Sequence, residues 1–307
     1  MGKNKDSRHA ASALEEGTLR GLKSAASEKK LRGAPGFEEY YSLIYGARWS
    51  SLKEALLKEG APKPFKCHPN APEYFLDPAS VLAALSLPLE GSKNILDMCA
   101  APGGKSLVLA SLMEDGAFLR CNERSFERTK RLERVVQEHL SEERRERVKI
   151  SCGDGALLCK KESHSYDAIL LDAPCSSERH VLTSPKYLDE WSPARVKSLA
   201  MQQWALLSCA FRLLNEGGFL LYSTCALNPS ENSGLCEHLL KKFPDAKLVG
   251  EDDVRAFQSS QKEALKPFFD VSLLPGFEAK ETGFSILPDA QNGFGPIFFC
   301  LFKKSAL

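Results

Sequence analysis

The sequence lacks the features of membrane, secreted and strongly charged proteins. Its 307 residues contain no apolar run near the roughly 20 residues that cross a bilayer. Its first ten residues, MGKNKDSRHA, lack the hydrophobic stretch of a signal peptide. Lys plus Arg number 41 and Asp plus Glu 40, which leaves a formal net charge of +1. We therefore expect a protein that works inside a cell without a membrane partner, and whose nucleic-acid contacts, if any, come from a local patch.

The cysteines lack the spacing of a structural metal site. No two of them are separated by the two residues that zinc ribbons and thioredoxin-like sites use. The ten cysteines stand at positions 67, 99, 121, 152, 159, 175, 209, 225, 236 and 300. We expect no metal, and most of these thiols should be reduced and buried.

The amino-terminal 35 residues form the most basic part of the chain. They hold eight Lys and Arg against four Asp and Glu. Mitochondrial presequences contain few acids, so we predict a cytoplasmic protein, with the mitochondrial matrix as the alternative. Residues 1–35 are interpreted as a basic flexible arm, suited to sequence-independent phosphate binding.

Residues 36–90 are predicted to form a small helical region. Apolar residues recur at three- and four-residue intervals from Phe37 to Leu56, which is typical of one amphipathic helix. Tyrosines and a tryptophan in this stripe are expected to face a core rather than RNA bases. The proline-rich segment 61–72 is interpreted as a connector, and Asp77 followed by Pro78 predicts the start of a helix that ends near Leu87.

Residues 91–307 alternate between short apolar runs and helical segments. Strands are predicted at 95–99, 117–121, 148–152, 168–172 and 219–224, and helices at 105–113, 125–140, 195–214 and 231–243. Two antiparallel edge strands are expected at 284–287 and 297–302. This alternation predicts an α/β fold with a Rossmann-like, doubly wound and mostly parallel sheet.

Unusual residues follow the ends of all five predicted parallel strands, where such sheets bind ligands. Gly104, Lys105 and Ser106 resemble the end of a P-loop, but Cys99 stands where that motif needs glycine. The dinucleotide fingerprint fails as well, because Gly103 and Gly104 are adjacent. What remains is a tight glycine turn through which a ligand could approach the backbone.

Two acids favour a nucleoside cofactor without a pyrophosphate. Glu123 lies 19 residues after Gly104, where it is placed to accept hydrogen bonds from ribose hydroxyls. Asp154 follows the third strand and could accept from an adenine amino group. S-adenosylmethionine is such a cofactor, although either acid taken alone could be a solvated loop carboxylate.

Two cysteines, Cys175 and Cys225, follow adjacent predicted strands and could reach one substrate. A thiolate at a strand-end cleft is a nucleophile. Addition of a thiolate to carbon 6 of cytosine makes carbon 5 nucleophilic enough to take a methyl group, and Asp172 is placed to stabilise the adduct.

Three sequence blocks resemble the Sun-type RNA cytosine-carbon-5 methyltransferases, which use S-adenosylmethionine. The blocks are I-L-D-M-C-A-A-P-G-G-K-S at 95–106, D-A-P-C-S at 172–176 and Y-S-T-C at 222–225. The resemblance covers roughly residues 70–305, and some details are more similar to the subgroup found in mitochondria or to its bacterial relatives. It implies that Cys225 is the covalent nucleophile, that Cys175 helps to release the product and that the substrate is RNA.

The same resemblance implies a set of cofactor-binding residues. The family more often has Asp where Glu123 stands, but the longer side chain can still reach a ribose diol. The implied residues are Cys99, Ala100, Ala101, Pro102, Gly103, Gly104, Lys105, Glu123, Arg128, Asp154 and Asp172.

Other functions remain open at this point. The chain could be a non-catalytic RNA-binding ribosome-assembly factor, which would tolerate loss of Cys225, or an amino-directed nucleic-acid methyltransferase, which needs neither thiol. Structured RNA is the expected partner, with ribosomal RNA ahead of transfer RNA. A protein partner could supply specificity, because no separate RNA-binding module is evident.

Overall fold

A computed structural model describes residues 31–162 and 164–306 of the chain. Most of the basic arm predicted at 1–35 therefore lies outside the described residues. Among the helices within these two ranges, none has the length and apolar character that crossing a bilayer requires.

A nine-stranded sheet forms the centre of the fold, and a separate two-stranded ribbon precedes it. The strands are β1 (Lys63–Phe65), β2 (Tyr74–Leu76), β3 (Asn94–Asp97), β4 (Phe118–Glu123), β5 (Val148–Cys152), β6 (Tyr166–Asp172), β7 (Leu214–Thr224), β8 (Ala246–Leu248), β9 (Glu278–Ala279), β10 (Phe284–Ile286) and β11 (Ile297–Lys304). The strand order is β5-β4-β3-β6-β7-β11-β10-β9, and β8 pairs with β11. Strands β3 to β7 are parallel, whereas β11 runs antiparallel to β7. The expected doubly wound, mostly parallel sheet with an antiparallel edge is confirmed.

Helices connect the strands and cover the sheet. They are α1 (Gly33–Tyr45), α2 (Trp49–Leu57), α3 (Pro78–Leu85), α4 (Gly104–Leu112), α5 (Phe126–His139), α6 (Glu142–Glu146), α7 (Glu178–Thr183), α8 (Pro185–Asp189), α9 (Pro193–Leu213), α10 (Ser233–Lys242) and α11 (Glu251–Leu265). The Asp77 side chain accepts a hydrogen bond from the Ala79 N–H at 2.8 Å, which caps α3 where the sequence predicted a helix start.

Both faces of the central strands are buried, as expected for a parallel sheet between helices. In β6, Ile169 belongs to the apolar cluster on one face and Leu170 to the cluster on the other. In β7, Leu220 and Leu221 divide between the two clusters in the same way. This alternation explains why the strands read as continuous apolar runs in the sequence.

The strand order reverses beside β3, which pairs with β4 on one side and with β6 on the other. The chain leaves β3 for β4 and β5 and then returns to place β6 against the opposite edge of β3. The loops after β3 and β6 therefore separate above the sheet and open a crevice there.

The single amphipathic helix predicted from Phe37 to Leu56 is two helices. It is interrupted at Gly46, whose positive φ of 56° ends α1, and a 3₁₀ turn over Gly46–Arg48 leads into α2. The aromatic stripe faces a core as predicted, since Tyr41 and Trp49 are buried. That core is shared with the segments after β6, β7 and β10, through the apolar residues Val181, Trp191, Val196, Leu227 and Leu287.

Two connections contain more structure than the sequence suggested. The predicted connector at 61–72 contributes β1, which pairs antiparallel with β2 although Pro64 lies within it. Pro64 is accommodated because this two-stranded ribbon gives each strand a free edge. The connection after Cys175 forms α7 and α8, and α11 follows β8; none of these three helices is among those predicted from the sequence.

Candidate active site

The register between β6 and β7 brings two cysteines together. Asp172 at the end of β6 pairs with Ser223 of β7, and the Ala173 N–H donates to the Ser223 carbonyl at 2.8 Å. Cys175 and Cys225 leave the sheet a few residues later on these neighbouring chains. Their Sγ atoms lie 2.9 Å apart, so one thiol can donate a hydrogen bond to the other sulfur. The expected proximity of the two thiols is observed.

The two thiols differ in acidity. The hydrogen bond from Cys175 lowers the pKa of Cys225, against the effect of burial, and a hydrogen bond to Ser177 lowers it further. The same hydrogen bond raises the pKa of Cys175 well above its usual value, and burial adds to this increase. Cys225 is therefore the thiol that ionises more easily, and Cys175 stabilises its thiolate as a donor.

Asp172 is held beside the thiols by two donors. Lys105 Nζ donates to Oδ2 at 2.8 Å, and Ser223 Oγ donates to Oδ1 at 2.8 Å. Burial opposes the charge on Lys105, but the charge and hydrogen bond of Asp172 outweigh it, so the pKa of Lys105 is raised. The result is an ion pair at a fixed position in the same cavity as the Cys225 thiol.

These side chains open into one cavity of about 800 Å³, which includes open solvent. Its lining residues are Ser80, Cys99, Ala101, Pro102, Lys105, Arg128, Asp172, Ala173, Pro174, Cys175, Ser177, Cys225 and Ile297. We call it the thiol cavity. The part of it that can hold water molecules is about 360 Å³, near the lower end of the range of about 300–1,000 Å³ that is typical of small-molecule sites.

A second cavity of about 670 Å³, again including open solvent, lies at the ends of β3, β4 and β5. Its lining residues are Met98, Cys99, Asn122, Glu123, Arg124, Asp154, Gly155, Ala156, Pro174, Gln202, Ala205 and Leu206. We call it the carboxylate cavity. Cys99 and Pro174 line both cavities, so the two spaces adjoin.

The acids of the carboxylate cavity are held by local backbone groups. Glu123 Oε1 accepts from the Ser125 N–H at 2.8 Å, and Arg128 lies 3.4 Å from its other oxygen. Asp154 Oδ1 accepts from the Ala156 N–H at 3.0 Å. Each carboxylate retains acceptor capacity, since an ionised carboxylate offers about four lone-pair positions.

The residues of the carboxylate cavity fit S-adenosylmethionine. Apolar side chains such as Met98 and Leu206 suit an aromatic base, and two carboxylates suit hydroxyl and amino donors. Glu123 and Asp154, the residues predicted to hold the nucleoside, both line this cavity.

The other predicted cofactor residues do not all line the carboxylate cavity. Five of them line the thiol cavity without lining the carboxylate cavity: Ala101, Pro102, Lys105, Arg128 and Asp172. Arg128 donates a hydrogen bond to the Ala101 carbonyl, which fixes the turn after β3 to α5.

Three predicted residues, Ala100, Gly103 and Gly104, line neither cavity. A Cβ on Gly103, whose φ is +119°, would meet Val135 Cγ1 at 2.9 Å, and a Cβ on Gly104 would meet Leu76 Cδ2 at 2.4 Å. The glycine turn therefore lets the protein's own side chains approach the backbone, where the sequence suggested approach of a ligand.

The sequence also left out three buried polar residues around the thiols. Glu178 accepts from the Tyr41 hydroxyl, the Ser176 hydroxyl and, at 2.9 Å, the Leu227 N–H. Glu231 and Gln203 hold the other side of the Cys175 loop, as described below. The only local signal was the position of Glu178, two residues after the D-A-P-C-S block. Among the residues that the structure describes, no group of three or more His, Cys, Asp or Glu is arranged to hold a metal ion.

Comparison with known protein families gives a match over residues 84–287 to the family described as 16S rRNA methyltransferase RsmB/F. The chain is 32% identical over 234 residues to 5-cytosine rRNA methyltransferase NSUN4 of Xenopus laevis, which covers 74% of this chain and 55% of that protein. It is 39% identical over 178 residues to ribosomal RNA small subunit methyltransferase F of Shewanella woodyi, covering 56% and 36% of the two chains. The chain thus spans about half the length, or less, of these curated relatives.

Among solved structures, the fold is similar to that of NSun6 from Pyrococcus horikoshii, solved with SFG, an analogue of S-adenosylmethionine. The TM-score is 0.56 at 25% identity, and the match covers 76% of this chain and 54% of the other.

Proposed function

The chain belongs to the RsmB/F family of S-adenosylmethionine-dependent methyltransferases, and we propose on that premise that it methylates carbon 5 of a cytosine in RNA. The observation that carries the proposal is the pair of thiols, 2.9 Å apart, in a cavity that adjoins the carboxylate cavity. An amino-directed methyltransferase has no use for two such thiols.

Cys225 is the proposed nucleophile. Its thiolate, favoured by the hydrogen bond from Cys175, adds to carbon 6 of the cytosine. The electron pair of the 5,6 double bond shifts onto carbon 5 and the ring atoms conjugated with it. Lys105 offsets the negative charge that develops there. The Asp172 carboxylate, which Lys105 and Ser223 hold in place, accepts from the exocyclic amino group.

When bound, S-adenosylmethionine supplies an electrophilic methyl group, which carbon 5 of the adduct takes up. Glu123 and Asp154 would hold the nucleoside part through their carboxylates, in a cavity that adjoins the thiol cavity at Cys99 and Pro174. This arrangement separates cofactor binding from base binding while keeping the two ligands adjacent.

Cys175 is the proposed base for product release. Once Cys225 is bonded to carbon 6, its sulfur no longer carries a negative charge and accepts the hydrogen bond from Cys175 only weakly. That hydrogen bond is the largest cause of the raised pKa of Cys175, so the pKa falls. Cys175 then loses its proton to solvent and removes the proton from carbon 5. The 5,6 double bond re-forms and the Cys225 thiolate leaves.

Substitution of each cysteine tests this assignment. Cys225→Ser should abolish methyl transfer to RNA, and Cys175→Ala should accumulate a covalent RNA adduct that migrates slowly on a denaturing gel. Cys152→Ser is the matched control, because Cys152 is exposed and lines neither cavity. Retained activity in Cys225→Ser would refute the nucleophile, and an active Cys175→Ala enzyme without adduct would refute the release role.

The identity of the product separates the alternatives. Detection of 4-methylcytosine or a methylated adenine in place of 5-methylcytosine would support an amino-directed enzyme, and RNA binding without methyl transfer would support an assembly factor. The names of the relatives favour ribosomal RNA as substrate, with transfer RNA second. Bisulfite sequencing of ribosomal and small RNA from cells with and without the gene would identify the cytosine.

A further inference from the structure

Two residues outside both cysteine motifs hold the neighbours of Cys175. Gln203 of α9 donates from Nε2 to the Pro174 carbonyl at 2.9 Å, and the Ser176 N–H donates to Glu231 Oε2 at 2.9 Å. Gln203 Nε2 also donates to Glu231 Oε2 at 2.8 Å. The residues before and after Cys175 are thus fixed by one connected pair of side chains.

The pair has two oxygens without a partner. Gln203 Oε1 and Glu231 Oε1 are both buried, and neither has a hydrogen-bond partner among the described residues. Two buried acceptors without donors are costly, by about 1–3 kcal/mol each. A proton on Glu231 would turn one of these acceptors into a donor. A carboxylic acid can accept from a carboxamide N–H through one oxygen and donate to its carbonyl through the other.

The surroundings of Glu231 favour that proton. Burial, together with the negative charge of Glu178, raises the pKa of Glu231 to about 7. The titratable groups that interact electrostatically with Glu231 are acids, phenols and a thiol: Glu178, Tyr40, Tyr41, Tyr222 and Cys175. Hydrogen bonds from Ser176 and Gln203 lower the pKa of Glu231, but they do not outweigh burial and the charge of Glu178.

We propose that Glu231 and Gln203 are positioning residues for the Cys175 loop, joined through a proton on Glu231 as a carboxylic acid–carboxamide pair. The neutral pair fixes the backbone on both sides of Cys175 and thereby the distance between its thiol and that of Cys225. Ionisation of Glu231 places a second negative charge near Glu178 and removes the hydrogen bond that Glu231 donates to the Gln203 side-chain carbonyl. The consequence for catalysis rests on the proposed function, whereas the consequence for the thiols does not.

Two substitutions of Glu231 separate the proton from the side chain. Glu231→Gln replaces the acid by a neutral group of the same shape that can accept from Gln203 Nε2 and donate to Gln203 Oε1. Glu231→Ala removes the group entirely. The measurement is the rate of alkylation of each cysteine by iodoacetamide, read by peptide mass spectrometry, with exposed Cys152 as the internal reference.

Glu231→Ala should raise the alkylation rate of Cys175 relative to Cys152 by at least about fivefold, because the loop opens more often. Glu231→Gln should leave that ratio near the wild-type value at pH 6. As the pH rises through about 7, the wild-type ratio should exceed that of Glu231→Gln, which has no proton to lose at this position. A merely structural side chain would not produce this divergence with pH.

Two outcomes would overturn the proposal. If Glu231→Gln behaves like Glu231→Ala at pH 6, a neutral pair does not hold the loop. If neither variant changes the Cys175 ratio, the pair does not position it. Both outcomes are independent of methyl transfer, so they are distinguishable from failure of the proposed function, which the Cys225→Ser enzyme reports. Within the active enzyme, Glu231→Gln should leave kcat near the wild-type value below pH 6 and give a kcat above that of wild type above pH 7, with KM for RNA unchanged.

Discussion

The molecule contains two pairs of carboxylates with different surroundings. Glu123 and Asp154 line a cavity, and each accepts a hydrogen bond from a backbone N–H two residues further along the chain. Glu178 and Glu231 line neither cavity and accept from residues that are distant in sequence, including Tyr41 and Gln203. The first pair is built by local structure and remains available to a ligand, whereas the second pair joins separate elements. Loss of the first pair should therefore affect binding, and loss of the second should affect stability and the thiols.

Glu178→Ala should give the largest effect on stability. Its removal leaves the Tyr41 hydroxyl, the Ser176 hydroxyl and the Leu227 N–H without their acceptor, at about 1–3 kcal/mol for each buried donor. We expect the free energy of unfolding to fall by about 4 kcal/mol, partly offset by relaxation, measured by urea denaturation. Glu178→Gln keeps one acceptor oxygen and should lose about half as much. A loss below about 1 kcal/mol in Glu178→Ala would contradict the joining role.

A third buried acid, Asp97 at the end of β3, should make stability depend on pH. Burial raises its pKa to about 7, although Ser106 donates to Oδ2 at 2.6 Å. The unfolded value is about 3.9. Because the folded pKa is the higher one, this stabilisation is present below pH 4 and is lost as the pH rises towards 7. The expected loss from Asp97 is about 2 kcal/mol between pH 5 and 7.

Asp97→Asn should remove that part of the pH dependence. The wild-type protein should lose stability over pH 5–7 more steeply than the variant, with the remaining slope due to Glu231, whose pKa is raised in the same direction. Thermal unfolding of both proteins at half-unit pH intervals measures the difference. Parallel curves for wild type and Asp97→Asn would show that Asp97 is ionised throughout this range.

The difference between the two pairs explains how much of the site could be predicted from sequence. Glu123 and Asp154 follow strands that the apolar pattern predicts, and the ends of parallel strands meet at one edge of a sheet. Cys175 and Cys225 were found in the same way, since β6 and β7 were expected to be adjacent. Position along the chain was sufficient to place all four residues at the two cavities.

The second pair could not be found by that argument. Gln203 lies in the middle of α9 and Tyr41 in α1, where the sequence gives only helical spacing. Their contacts with Glu231 and Glu178 depend on how separate elements pack, which no local pattern encodes. The break of the predicted helix at Gly46 was missed for a related reason. A single glycine in an amphipathic pattern is compatible with a continuous helix until tertiary packing redirects the chain.

Glu123→Ala should affect ligand binding more than stability. The variant loses an acceptor in the carboxylate cavity, and we expect the Kd for S-adenosylmethionine to rise at least about tenfold, equivalent to about 1.4 kcal/mol. The free energy of unfolding should change by less than about 1 kcal/mol, because only one local backbone hydrogen bond is lost. Isothermal titration calorimetry and urea denaturation of the same preparation measure both quantities. A large loss of stability with unchanged affinity would reverse the comparison and make Glu123 a structural residue like Glu178.

Tyr45→Phe should give the smallest effect on stability, because it removes one hydrogen bond between α1 and the chain that follows Cys225. The Tyr45 hydroxyl donates to the Leu227 carbonyl at 2.8 Å, two residues beyond Cys225. We expect a loss of about 1 kcal/mol in the free energy of unfolding. The alkylation rate of Cys225 should rise less than about twofold, because Glu178 still holds the Leu227 N–H. Combined with Glu178→Gln, the two losses should be non-additive, since both act on Leu227. Additive losses would mean that Tyr45 of α1 and Glu178 hold Leu227 independently of each other. The two hydrogen bonds would then be separate contacts and not parts of one network.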